Sequence, residues 1–284
     1  MSEQSPEKEA GILSEKNAIT ASEKENQEKA KVLSQSSAPL MEHLLELRKR
    51  LLYVMVGIFV TFGFCYLVSD QIYNFLVQPL ADLFAGQQDR RMIYTGLHEA
   101  FFTKIKVAFF GAIMITFPFI LIQVWKFIAP ALYKDEKGAF FPFLIATPIL
   151  FLMGAALVYY LVIPMAWQFF VGFETTGGNG TLPIELEARV GEYLSLVMKL
   201  IFAFGFCFQL PVLLTLLGRV GLVTPDGLRQ RRKYAVVITF AVAAFLTPPD
   251  IISQIGLGLP ILLLYELSII TISFFEKKRA KAEI

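Results

Sequence analysis

The chain has 284 residues, of which 55% are hydrophobic, 14% aromatic and only 18% charged, against about 25% charged in an ordinary soluble domain. That balance excludes a water-soluble globular class, and the basic excess after residue 38 is too diffuse for a phosphate-tracking stripe, which excludes nucleic acid as a partner. The formal charge of +2 averages two unlike regions, because the first 38 residues hold five Lys and seven Glu while the rest is apolar and basic.

Residues 1–38, rich in Ser, Gln, Glu and Lys, cannot bury enough apolar surface to offset their ordering entropy and are expected to form a disordered acidic tail. The first apolar run begins only at Leu51 with no short basic segment just before a signal-type core, so the tail does not read as a secretory signal. Leu40, Leu44, Leu47 and Leu51 recur at helical spacing and predict an amphipathic lead-in lying near a membrane surface.

Crossing about 30 Å of hydrocarbon takes about 20 mostly apolar residues, and six stretches qualify or nearly qualify: about 51–69, 107–128, 140–163, 194–217, 234–246 and 251–275. The third belongs to a charge-free run from Gly138 to Phe173, too long for one crossing. Pro164 removes a backbone donor inside it, so the span is expected to end near Ile163, leaving Trp167, Phe169, Phe170 and Phe173 as an aromatic belt at the surface. The fifth, Tyr234 to Leu246, is closed by Arg231, Arg232 and Lys233 on one side and by Thr247, Pro248, Pro249 and Asp250 on the other. Its 13 residues make only about 20 Å of helix, so the hairpin it forms with the sixth span must thin the bilayer or lean on a partner. Residues 276–284 are a short basic tail. The expectation is an all-α integral membrane protein whose membrane domain, 39–275, holds six transmembrane helices, the last two short.

Lys and Arg near span ends set orientation. With the N-terminus inside, fourteen of them fall on the cytoplasmic side and five, Arg90, Arg91, Lys104, Lys106 and Arg189, on the other. Both termini are therefore expected in the cytoplasm.

Enzymatic chemistry finds no foothold. The sequence has no Gly-Lys dipeptide and hence no phosphate loop, and no Asp or His lies inside a span to serve intramembrane proteolysis. His43 and His98 fall on opposite sides of the membrane and share no metal site, and Cys65 and Cys207 sit in apolar runs as small hydrophobes. No cofactor is expected. An ion-coupled small-molecule transporter is the alternative, but such proteins show repeated halves and several intramembrane ionisable groups; here no repeat is visible and Glu266 is the one ionisable residue at mid-membrane. A membrane scaffold is a third reading.

Two cytoplasmic carboxylates stand out on a basic face. Glu42 and Glu46 share a helix face, and Glu46 also has Arg50 four residues on, so its plain reading is a surface ion pair worth a few tenths of a kcal/mol. Glu136 sits in Tyr133-Lys-Asp-Glu136-Lys137, whose plain reading is a solvated turn.

The stretches His43-Leu-Leu-Glu46-Leu-Arg48-Lys-Arg50-Leu51, Phe127-Ile-Ala-Pro130-Ala-Leu-Tyr133-Lys-Asp-Glu136 and Thr247-Pro248-Pro249-Asp250, with Phe101-Phe-Thr-Lys-Ile-Lys106 and Glu192-Tyr-Leu-Ser195, resemble the successive signatures of TatC, the multispanning core subunit of the twin-arginine protein translocase. The resemblance covers about residues 39–275. It implies a receptor for signal peptides bearing two consecutive arginines, moving folded proteins across the bacterial cytoplasmic membrane on the proton-motive force, in a multimeric complex with TatA-type and TatB-type single-span partners. By the resemblance, Glu46 and Glu136 receive the two guanidinium groups, Arg48 holds a carboxylate in place, and Phe127 meets the apolar part of the signal peptide. Two carboxylates suit two planar guanidinium forks better than ammonium groups. Pro79 matches a proline that shapes an outside cap. Pro248, Pro249 and Asp250 match the tight turn of the short hairpin, which resembles the family's docking surface for single-span partners. Glu266 has a matching acid in the family. One departure is Gln209, where the family often has glutamate; glutamine hydrogen-bonds but does not ionise, and its plain reading is to satisfy backbone groups near Pro211.

Overall fold

The computed structural model describes residues 41, 44–86, 90–132, 141–177, 182–247 and 250–282. Glu42, Glu136, Pro248, Pro249 and the acidic tail lie outside the described residues. The chain divides into two compact units, residues 1–53 and 54–284, and the described part of the first is almost entirely the opening of helix α1 (Leu44–Leu67).

The remaining elements belong to the second unit. They are α2 (Ser69–Leu83), α3 (Glu99–Leu132), α4 (Phe141–Leu157), a π-helical turn (Val158–Val162), α5 (Ile163–Val171), α6 (Val190–Cys207), α7 (Leu210–Arg219), α8 (Pro225–Gln230), α9 (Arg232–Leu246) and α10 (Ile251–Ala282). Among the described residues there is no strand, only isolated bridges between Ile93 and Arg189 and between Thr175 and Ile184. Five runs are long and apolar enough to cross a membrane: Leu44–Leu67, Glu99–Phe127, Pro142–Val171, Val190–Arg219 and Ile251–Lys277. At 15 residues α9 is the remaining short helix, whereas α10, at 32 residues, is not short, contrary to expectation, because its apolar run continues into the basic end of the chain. The fold is that of an all-α integral membrane protein.

The third span differs from the sequence expectation. It does not stop near Ile163 but runs through Pro164 to Val171, because the turn just before the proline is π-helical, with Ile163 N–H donating to Val158 O, five residues back. A π-turn is where a helix admits such an interruption without ending. The expected aromatic belt is split in consequence. Trp167 is buried against Tyr193, ring centroids 5.4 Å apart, while Phe173 stays exposed. The fourth span is broken at Phe208-Gln209 between α6 and α7, with Pro211 in the first turn of α7, a position that needs no N–H.

The core gathers around Phe151 and Phe204, both fully buried, where α4 and α6 approach closely. A Cβ on Gly154 would come 2.7 Å from Phe204 O, so only glycine admits that contact. Outward-facing residues are as apolar as the core. On α10, Ile255, Leu259, Leu263, Leu267, Ile270 and Phe274 form one exposed stripe, as a helix face against lipid requires.

Candidate functional site

Glu46 lies in the first compact unit, and Arg50 Nε donates to its Oε1 at 3.0 Å, with a second, shorter bond from Nη2 to the same oxygen. Both side chains are partly buried. The carboxylate already holds a guanidinium, supplied by its own helix four residues on. Arg48 points to the exposed surface and is not part of this pair. In the second unit, Phe127 is half-buried near the end of α3.

At the end of α3 opposite Phe127, polar groups far apart in sequence converge. Arg90 meets Glu174 in a two-bond fork, Nη1 to Oε1 at 2.6 Å and Nη2 to Oε2 at 2.5 Å, and Leu186 N–H adds a third bond at 2.9 Å. The Arg90 hydrogen bond, then that N–H, hold the Glu174 carboxyl below the usual carboxylate range. Glu174 in turn raises the guanidinium. Glu99, at the start of α3, accepts from Thr95 N–H at 3.0 Å and from Gly191 N–H at 3.0 Å, so it ties the beginning of α6 to the beginning of α3. Arg189 lies 3.7 Å from Glu99 and donates to Glu192 at 2.5 Å and to Thr95 Oγ1 at 2.6 Å.

Pro79 is buried inside α2. Having no N–H, it leaves the carbonyl of Phe75 without its intrahelical donor, and the hydroxyl of Tyr159 in the π-turn fills that place at 2.6 Å. Tyr193 donates likewise to Leu76 O at 3.1 Å. Helix α2 is thus held around its proline by two tyrosines from two other elements.

Gln209 sits at the α6–α7 break and donates from Nε2 to Thr147 O at 2.9 Å, while its Oε1 is buried with no partner among the described residues. Thr147 Oγ1 accepts from Trp125 at 3.2 Å and donates to Phe143 O at 2.6 Å. Glu266, read from sequence as isolated at mid-membrane, accepts from Arg232 at 2.6 Å at the opening of α9. Asp250 caps α10 by accepting from Ser253 N–H at 2.6 Å, and its Oδ2 is buried without a partner among the described residues. The far end of α9 is capped by Lys199 of α6, whose Nζ donates to Phe245 O at 3.1 Å while lying 5.2 Å from the Phe245 ring centroid.

A family profile described as "Sec-independent protein translocase protein (TatC)" matches residues 42–260. The chain belongs to the TatC family. It is 48% identical over 249 residues to the Sec-independent protein translocase protein TatC of Magnetococcus marinus, covering 88% of this chain and 89% of that one. It is also 48% identical over 238 residues to that of Rickettsia prowazekii, covering 84% and 94%. Among solved structures it is similar to a crystal structure of the twin arginine translocase receptor TatC in DDM, with a TM-score of 0.69 and 35% identity over 80% of this chain and 98% of that one. As a TatC-family protein the chain is a multi-pass membrane component of a protein translocase that works with other translocase subunits, and it is not an enzyme. The small-molecule transporter alternative gives way to this assignment.

The TatC-family signatures pointed to the acids and prolines but not to Tyr159, Arg90, Glu174, Glu99 or Lys199. Their only sequence signal was polarity next to an apolar run, and each has a partner 46 to 92 residues away.

Proposed function

We propose that the chain is the receptor and core of a twin-arginine translocase, binding signal peptides with two consecutive arginines at the cytoplasmic surface and taking part in export of folded proteins on the proton-motive force. The observation that carries this is the Glu46–Arg50 pair in a chain similar to a solved twin-arginine translocase receptor. Glu46 accepts two charge-assisted hydrogen bonds on one oxygen from a guanidinium of the chain's own helix, so an incoming arginine replaces that pairing with a two-oxygen fork and needs no new desolvation of the carboxylate. Glu136 takes the second arginine, Arg48 positions a carboxylate and Phe127 meets the apolar stretch after the arginines. Each exposed pair contributes at most about 1 kcal/mol, so recognition needs both.

The short α9 with α10, including Pro248, Pro249, Asp250 and Glu266, serves as the docking surface for TatA-type and TatB-type single-span partners in a multimeric complex. Pro79 and Gln209 are structural, the first in the outside cap and the second at the α6–α7 break. The protein lies in the bacterial cytoplasmic membrane as one membrane domain, residues 39–275, with both termini inside, an acidic tail before it and a basic one after it.

Copurification tests the receptor assignment. A twin-arginine precursor should be retained by the solubilised chain and the same precursor with both arginines changed to lysine should be lost. Equal retention of the two overturns it, and Glu136→Arg should abolish crosslinking to the signal peptide.

A further inference from the structure

Between α2 and the run from the π-turn into α5 lies a cavity of about 600 Å³, a volume suited to a small ligand or a headgroup, and signal-peptide recognition makes no use of it. Its inner part is aromatic. Phe75 and Tyr159 lie face to face, centroids 4.4 Å apart and 5° from parallel, and Tyr160, 71% exposed, lines the cavity beside them. Further along each helix the lining turns polar, with Gln78 and Asp82 on α2 and Gln168 on α5. Gln78 Nε2 donates to Asp82 Oδ1 at 2.7 Å and orients the carboxylate. Among the described residues no Lys, Arg or His lines the cavity, and the Arg90 guanidinium that follows α2 is forked onto Glu174.

A carboxylate without a cation of its own, set beside aromatic rings whose faces carry negative quadrupole charge, is a receptor for an organic cation. The surroundings narrow the class. Leu161 and Met165, next to Tyr160 on the same run, are exposed apolar residues within a membrane span, so whatever enters the cavity from that side carries hydrocarbon. We propose that the cavity binds the primary ammonium headgroup of a zwitterionic phospholipid, with the ammonium on Asp82 against the Tyr160 ring, the side-chain amides of Gln78 and Gln168 toward the phosphate, and the acyl chains along Leu161 and Met165. The gradient from aromatic to polar along α2 and α5 matches the gradient along the lipid. The site is independent of signal-peptide recognition and bears on how the outside cap is seated in the bilayer.

Native mass spectrometry of the full chain in detergent, titrated with phosphatidylethanolamine and phosphatidylglycerol of matched acyl chains, tests the proposal. The wild type should retain the ethanolamine lipid about five- to tenfold better, the range a carboxylate and one aromatic face supply at a partly desolvated site. Asp82→Asn should bring the ratio to about one. Asp82→Glu should keep the preference, as should Asp70→Asn, which removes a carboxylate outside the cavity. Equal retention of the two lipids by the wild type, or a preference that survives Asp82→Asn, overturns the site. Free ethanolamine should displace the lipid only in large excess; displacement at equal concentration overturns the lipid assignment in favour of a soluble amine.

Discussion

The hydroxyl of Tyr159 occupies the hydrogen-bonding place that Pro79 leaves empty on Phe75, donating at 2.6 Å to the carbonyl four residues before the proline. The missing donor in one helix is therefore supplied by the π-turn of another, and the two features depend on each other.

Tyr159→Phe should destabilise the protein by about 1 kcal/mol, the net worth of a hydrogen bond to a part-buried acceptor. In a Pro79→Ala background the restored N–H returns to Phe75 O, and the same substitution should cost less, with a coupling of about 1 kcal/mol in the double-mutant cycle. Thermal unfolding of the four proteins in one detergent measures it; equal costs in both backgrounds would refute the dependence.

The Arg90–Glu174 fork sets a pH dependence. The folded-state pKa of Glu174 lies below the ordinary carboxylate range, so its contribution to stability is complete above that range and is lost as pH falls through the lowered folded value. Melting curves taken downward from neutral pH should show a loss in acid that Glu174→Gln flattens, with the variant already less stable than wild type at neutral pH.

Gly154→Ala places a methyl 2.7 Å from Phe204 O, and neither backbone yields cheaply. A loss of about 1–3 kcal/mol or failure to fold is expected. Gly63→Ala, whose added methyl meets nothing within 4 Å, should be neutral or stabilising by up to about 1 kcal/mol through helix propensity. Comparing the monodisperse yield and melting temperature of the pair distinguishes close packing from a general intolerance of larger residues.

The inside-positive distribution of charge predicts topology. In a background lacking Cys65 and Cys207, single cysteines at Glu185 and at Leu222 should react with an impermeant thiol reagent from opposite sides of the membrane, Leu222 from the cytoplasm. Labelling from one side only would break the orientation proposed above.

The helical spans were legible because a membrane crossing is written as an unbroken apolar run, a local property. Helix α9 starts two residues before the expected Tyr234, taking in Arg232 and Lys233, and ends at Leu246 as the apolar run does. The extent of the third span was not legible, because a proline reads as a stop and nothing local reveals the π-turn that carries the helix past it. Of the candidate acids, the Glu46–Arg50 pair was visible at a spacing of four, whereas Glu266 and Arg232 are 34 residues apart and become neighbours only when α9 and α10 fold back on each other. The Arg90–Glu174 fork was not legible. Its charges looked like ordinary loop polarity until Arg90 and Glu174, 84 residues apart, met.

The π-turn at Val158–Val162 acts as a phase shift. Each residue of an α-helix advances the face by about 100°, so the extra residue in the wide turn resets which side of α5 meets its neighbours. Removing one residue there would return the helix to regular winding and rotate everything after it, turning Trp167 away from Tyr193 and Gln168 away from the α2 side. Side chains beyond the turn hold their places by counting rather than by contact alone, and this segment should accept substitutions far more readily than a single deletion.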